Sequence, residues 1–308
     1  MTIPTEVNAN HINYTTMKKE LLKVSSMLLM AVCLCVNFTA CSDDDDDKNG
    51  TEQHDGDDDG DGPAAGTGVE NGYTWVDLGL PSGVKWAISN VGTVNPWEFG
   101  YYFAWGETLP KQSYGFENYL DGQIRYDSDY GTDRDMLRGI TDISGSEYDA
   151  VRVNMGGSWR MPTYVEQMEL IANCYWEWTD DYAGKGVKGF VVYKAKDAED
   201  KGVAKLDDNK GNVGFYRVYE TGDFYIESEY ETELKATYSL SDTHIFLPAA
   251  GYIEYARWED QDGGFNLSSS LRNDIYKDSS LGQRFFSDKV MWYGSHRYWG
   301  LTVRGVLD

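Results

Sequence analysis

The chain has 308 residues, with 51 Asp and Glu against 27 Lys and Arg and a formal charge of −24. Such an acidic protein repels phosphate, which excludes free nucleic acid as a partner. Of its four cysteines three precede residue 42, so no disulfide framework supports a fold and a hydrophobic core must.

The first element is apolar. Roughly from Leu21 to Ala40 the chain is hydrophobic behind Lys18, Lys19 and Lys23, and Met27-Leu28-Leu29-Met30-Ala31-Val32-Cys33-Leu34 is apolar on every side. The lack of a polar stripe excludes an amphipathic core helix. Asn37 and Thr39 interrupt the run before it reaches the ~20 apolar residues of a membrane span. A basic start, an apolar middle and a small-residue end make residues 1–40 a secretory signal. If the precursor starts at Met17, residues 1–16 come from a start codon read too early. The sequence Phe38-Thr39-Ala40-Cys41 resembles a bacterial lipobox, which implies cleavage before Cys41 and lipidation of its thiol. Several acyl chains on one residue give stable anchoring, here to the lipid of the outer membrane.

Removing residues 1–40 leaves 24 basic and 49 acidic residues, and eleven of those acids lie within residues 42–62. Asp43 to Asp47 and Asp55-Gly56-Asp57-Asp58-Asp59-Gly60-Asp61-Gly62 sit among almost no apolar side chains. Residues 41–72 therefore read as a lipidated cysteine and a self-repelling, disordered tether. Acidic runs directly after a lipidated cysteine resemble the signal that sends some Bacteroides-type lipoproteins to the cell exterior. Asp55, Asp57, Asp59 and Gly60 match the start of a calcium loop, but Gly66 stands where a bidentate Glu is needed. No built metal site is expected, and no cofactor.

Residues 73–308 form the globular part. Thr74-Trp75-Val76-Asp77-Leu78 and Val84-Lys85-Trp86-Ala87 flank Pro81-Ser82-Gly83 as two strands of a hairpin. Tyr101 to Trp105, Phe190 to Tyr193 and His244 to Leu247 are further strands. Glu147 to Val153 reads as a short helix. A second helix follows Pro162, with Thr163 and Glu166 as a capping box and Val165, Met168, Ile171 and Ala172 on its buried face. Cys174, near its end, reads as a small buried hydrophobe. Residues 194–243 form a charged excursion, an extended hairpin or an inserted loop, with a turn at Asp208-Asn209-Lys210-Gly211.

The stretch Tyr73-Thr74-Trp75-Val76-Asp77-Leu78-Gly79-Leu80-Pro81-Ser82-Gly83-Val84-Lys85-Trp86-Ala87 resembles the opening of the Fibrobacter-type major paralogous domain of Bacteroides-type lipoproteins. Phe103-Ala104-Trp105-Gly106-Glu107-Thr108, Gly156-Gly157-Ser158-Trp159-Arg160-Met161-Pro162-Thr163 and Leu247-Pro248-Ala249-Ala250-Gly251-Tyr252 continue the resemblance in order. It implies an α+β domain with a C-type-lectin-like / formylglycine-generating-enzyme-like fold: twisted antiparallel strands, two helices and long loops. Periodicity alone gives only a strand-rich α+β domain.

The chemistry of the relatives does not carry over. Formylglycine generation needs two active-site cysteines, and this domain has Cys174 alone. Calcium-dependent sugar binding in lectins of this type uses Glu-Pro-Asn or Gln-Pro-Asp followed by Trp-Asn-Asp. Neither occurs, and Trp258-Glu259-Asp260 is a faint echo. No Gly-x-Ser-x-Gly elbow exists, and 37 acids in residues 73–308 make any suggestive carboxylate pair uninformative. The expectation is a protein that is not an enzyme.

The tail is the strongest clue. Phe265 to Val306, with Val290-Met291-Trp292-Tyr293-Gly294-Ser295-His296-Arg297-Tyr298-Trp299-Gly300, resembles the C-terminal variable region of lipoproteins diversified by retroelements. Adenine changes in Asn codons yield Tyr, Gly, Ser, His, Asp or Ile, the set found in Tyr293-Gly294-Ser295-His296 and Asn273-Asp274-Ile275-Tyr276; chance agreement among common residues is the rival account. Tyr, Ser, Gly and Asn with Trp and Arg is also the composition of antibody-type binding surfaces. Phe286, Val290, Trp292 and Val303 read as inward residues of the last strands. That leaves Tyr276, Arg284, Met291, Tyr293, Ser295, His296, Tyr298 and Trp299 as the ligand-binding face. The sequence thus predicts a surface-tethered adhesion lipoprotein that holds an extracellular glycan or protein. The alternatives are a structural component of a surface assembly, or a hydrolase with unidentified carboxylates.

Overall fold

The computed structural model describes residues 66–122, 140–207, 211–217, 225–272 and 279–308. The predicted signal, Cys41, the acidic runs and Tyr276 lie outside them. Among the described residues no helix is long and apolar enough to cross a membrane.

The first strands are β1 (Thr67–Glu70), β2 (Tyr73–Val76) and β3 (Lys85–Asn90), all antiparallel neighbours. Asn71 and Gly72, both at positive φ, make the two-residue turn whose twist suits a hairpin. This turn draws residues 67–70, read from sequence as the end of the tether, into a sheet. The predicted hairpin over Pro81-Ser82-Gly83 is present, with Trp75 opposite Ala87 and Val76 opposite Trp86.

Next come β4 (Tyr102–Phe103), helices α1 (Ala150–Met155) and α2 (Tyr164–Asn173), and strands β5 (Cys174–Thr179) and β6 (Gly189–Lys194). The helix α1 starts three residues later than expected, because the buried Asp149 carboxylate caps it by accepting from the Arg152 amide. The capping box of α2 is present in both directions. Its buried face is only in part the one expected: Ile171 is buried and Met168 half-buried, as predicted. Val165 is 51% exposed and Ala172 is exposed, whereas Glu166, Gln167, Leu170 and Ile171 are buried. The reason is polar. Glu166 is held by Arg160, and Gln167 Nε2 donates to the carbonyls of Asn266 and Leu267.

The excursion supplies β7 (Val203–Lys205), β8 (Asn212–Arg217) and β9 (Tyr225–Thr232), followed by β10 (His244–Pro248), β11 (Tyr252–Glu254) and β12 (Arg257–Glu259). The tail folds into β13 (Gly263–Leu271), β14 (Ser279–Phe286), β15 (Lys289–His296), β16 (Leu301–Thr302) and β17 (Arg304–Leu307). Among the described residues three sheets result, making a mostly β, α+β architecture. The strands order as β1-β2-β3-β17, as β10-β6-β5-β7-β8-β9-β15-β14-β13-β16-β4, and as β11-β12. The excursion is therefore neither loop nor free hairpin. Its three strands join the β10-β6-β5 half of the long sheet to the tail half.

The two largest of four apolar clusters among the described residues hold these layers. One gathers Trp86, Leu170, Ile171, Cys174, Trp176, Phe190, Phe285, Val290 and Val306. The other gathers Phe103, Trp105, Val151, Met155, Trp159, Phe265, Leu301 and Val303. Fully burying a Phe or Leu side chain contributes about 1.5–3 kcal/mol. Cys174 is buried and free, as its apolar surroundings require, and burial pushes its thiol up to about 12. β17 pairs with β3, where Arg304 forks onto Asn90 Oδ1 at 3.0 and 2.9 Å and reaches the Ile88 carbonyl at 2.9 Å.

Candidate functional site

The tail strands β13, β14 and β15 form a meander whose register fixes which side chains share a face. Phe286 pairs with Lys289, Arg284 with Met291, Gly282 with Tyr293 and Ser280 with Ser295. Even positions of β14 thus share a face with odd positions of β15. Val290 and Trp292 point the other way, where Val290 joins the core and Trp292 lies 4.6 Å from the Tyr164 ring of α2. Phe286 does not accompany them. It is half-buried beside Arg284, which corrects its assignment as an inward residue. Val303 is buried as expected.

Arg284 is the centre of this face. Its guanidinium carbon lies 5.0 Å from the Tyr293 ring, 5.1 Å from Phe286, 5.8 Å from Phe265 and 5.9 Å from Tyr252. Asp260 pairs with its Nη2. Aromatic faces attract such a cation, and the carboxylate neutralises it. Met291 sits opposite Arg284 and is half-buried. Tyr293 packs half-buried, edge-on to Phe265 at 6.2 Å. Ser295 departs from the expected exposed face: it is 1% exposed, and its hydroxyl meets that of Ser280 at 2.9 Å. A small hydroxyl can be buried at no penalty when paired in this way.

From the last residue of β15 the rings continue. The exposed His296 ring lies parallel to Tyr298 at 5.1 Å and edge-on to Trp299 at 5.3 Å. Trp299 stacks on Tyr252 at 4.4 Å, and Tyr298 meets Phe116 edge-on at 6.4 Å. A turn bond from the Trp299 amide to the His296 carbonyl fixes this corner. Beneath it the buried Arg297 guanidinium lies 5.2 Å from the Trp105 ring. The predicted residues therefore form two groups, Arg284 with Met291 and Tyr293, and His296 with Tyr298 and Trp299, joined through Tyr252, which lies beside both Arg284 and Trp299; Ser295 is buried, and Tyr276 lies outside the described residues.

Partners from the short sheet β11-β12 went unread in the sequence. Tyr252 and Asp260 complete the Arg284 surroundings, and Trp258, 42% exposed, lies 5.5 Å from Phe99. The Trp258 Nε1 and the Tyr102 hydroxyl both donate to the Ala250 carbonyl, at 2.7 and 2.6 Å. Burial raises the Tyr102 and Tyr252 hydroxyls above their ordinary values, so both stay neutral donors. The only sequence signal for this group was Trp258-Glu259-Asp260.

Buried carboxylates elsewhere have structural uses. Asp149 accepts from the amides of Gly145, Arg152 and Met161, and burial raises its pKa. Asp200 accepts from the amides of Lys235 and Ala236 and from the Tyr238 hydroxyl. Among the described residues no group of three or more His, Cys, Asp or Glu side chains is placed to hold a metal ion. Comparison of the chain with protein-family models, with curated proteins and with solved structures finds no match.

Proposed function

We propose that this is a noncatalytic recognition protein, displayed on the cell exterior by a lipid on Cys41, whose tail face binds an extracellular ligand. One observation carries the reading: a continuous, half-exposed strip of rings, Tyr252, Trp299, His296, Tyr298 and Phe116, beside an arginine set among aromatics. Tyr, Trp and Arg are the residues that dominate binding energy at interfaces, because they give large contact area for few lost rotamers. That composition favours a protein ligand, with a glycan as the other possibility. The C-type-lectin-like fold and the retroelement-diversified tail belong to the same proposal, on the motifs quoted above.

The rival reading, a fixed component of a surface assembly, would favour a broad aliphatic patch. The tail face is built instead of half-buried rings beside a charged pair, Arg284 and Asp260, which supports the binder.

The test is a screen of extracellular proteins and an array of glycans with the parent chain and with a Trp258→Ala/His296→Ala variant. His296 is exposed and Trp258 is 42% exposed, so folding should survive. The expected result is at least about tenfold weaker binding at an unchanged melting temperature. Equal binding by both proteins would remove the tail face from the site. Sequencing the gene across related isolates tests diversification: substitutions confined to adenine positions in the tail codons support it, and an invariant tail opposes it.

A further inference from the structure

We propose a second binding site, away from the tail face, that takes a neutral oligosaccharide. It lies in an open groove of about 1080 Å³ where β5, β7, β8 and β9 meet the segment 233–238. Register builds its floor. Glu177 on β5 pairs with Lys205 on β7, Lys205 with Asn212 on β8, and Asn212 with Thr232 on β9. One row of four polar side chains thus crosses four adjacent strands, which at strand spacing spans roughly 14 Å. Opposite faces alternate, so the neighbouring Trp176, Ala204 and Val213 go to the core while this row stays outside.

The chemistry of the row suits hydroxyl groups. Lys205 Nζ meets Glu177 Oε1 at 2.7 Å, so the pair is locally neutral and its second carboxylate oxygen makes no hydrogen bond among the described residues. The Tyr175 hydroxyl donates to Asn212 Oδ1 at 3.2 Å, which orients the amide and leaves its Nδ2 as a donor. A carboxylate acceptor, an ammonium donor, an amide donor and a hydroxyl therefore follow one another in a line. Adjacent sugar hydroxyls, each donor and acceptor, match such a sequence. The wall is held ready: Asp200 fixes the amides of Lys235 and Ala236 and the Tyr238 hydroxyl, and Tyr238 packs on Tyr175 at 4.6 Å. A fixed wall lowers the ordering cost of binding. Glu231 and Glu233 at the edge disfavour acidic sugars.

The test is calorimetric titration of the full chain with cellohexaose, maltohexaose and mannohexaose, and with hexagalacturonate as the acidic counterpart. We expect millimolar or tighter binding of at least one neutral chain, none of the acidic one, and roughly tenfold weakening by Asn212→Ala. Lys205→Gln, at an exposed position, should weaken binding similarly. The Trp258→Ala/His296→Ala variant should bind as the parent does. Failure of all three neutral chains at millimolar concentration overturns the proposal. So does loss of sugar binding in the Trp258→Ala/His296→Ala variant with retention in Asn212→Ala, which would move the sugar to the tail face.

Discussion

Single residues carry two kinds of burden in this domain, a buried charge and a half-buried base. Arg304 is 1% exposed and has carbonyl and amide oxygens as partners, from Asn90, Ala87 and Ile88. Burial pushes its pKa down to about 9, which still leaves it charged at neutral pH. Replacing Arg304 with Met strands those acceptors, each worth about 1–3 kcal/mol when buried and unpaired. The expected loss is about 3 kcal/mol or more in urea denaturation, and Arg304→Lys should not restore it, since an ammonium lacks the fork. His244 is the base. Its Nδ1 lies 2.7 Å from the Asp242 carbonyl and its Nε2 2.9 Å from the Tyr182 hydroxyl, and burial lowers its pKa. Below about pH 6.5 the unfolded chain takes up a proton that the folded chain resists. Stability contributed by neutral His244 is thus complete above that pH and declines as the pH falls below it, by at most ~1.4 kcal/mol per pH unit. His244→Phe should flatten this part of the stability profile; an unchanged slope would assign the acid sensitivity to other groups.

Elements place the candidate face, and at Gly251 they leave no room for a side chain. It leads from β10 into β11 at φ +58°, and a Cβ there would lie 2.2 Å from the Glu259 carbonyl oxygen. Gly251→Ala combines left-handed strain with a backbone clash, about 1–3 kcal/mol for the strain alone. The clash should push β11 from β12 and carry Tyr252 and Trp258 with it. Ligand binding should therefore fall more than stability does, when affinity and melting temperature are compared. Some of this level was legible in sequence. Pro81-Ser82-Gly83, Thr163 with Glu166, and the runs at Phe190 and His244 announced their elements, because turns, caps and apolar strands are local signals. The buried face of α2 was only partly legible, since Glu166 and Gln167 turn inward toward partners far along the chain. Phe286 was misplaced for a similar reason: counting along the chain ignores the hairpin, which pairs it with Lys289 and so opposes it to Val290. Asn71-Gly72 was a readable hairpin signal hidden beside an acidic tether. Of the candidate face, Arg284, Met291, Tyr293, His296, Tyr298 and Trp299 were recoverable by composition. Tyr252 and Asp260 were not, because only long-range pairing brings β11-β12 to them.

The whole molecule depends on the excursion that composition made look dispensable. Lys205 and Asp207 lie exposed, while Ala204, Leu206 and Val213 enter the same cluster as Trp176, Phe190 and Phe285. The strands β7, β8 and β9 stand between β5 and β15, so they join the half of the sheet that packs on β10 to the half that carries the tail face. Deleting residues 203–232 behind a short Gly-Ser linker would expose two strand edges at once and strip apolar cover from both sides of the gap. Leu206 and Val213 alone account for about 3–6 kcal/mol of burial, against a total stability of about 5–15 kcal/mol for an ordinary domain. The deletion should abolish the cooperative thermal transition. Cys174 gives an independent reading of the same event, because it is buried where β5 begins, next to β7 through the bond from the Gly202 amide to its carbonyl. With Cys33, Cys35 and Cys41 changed to Ser, a thiol reagent should label the parent only as fast as it unfolds globally, and the deletion variant at once. A deletion variant that melts like its parent and keeps Cys174 protected would make the excursion an appendage, and the tail face would then have to be positioned by β13, β16 and β4 alone.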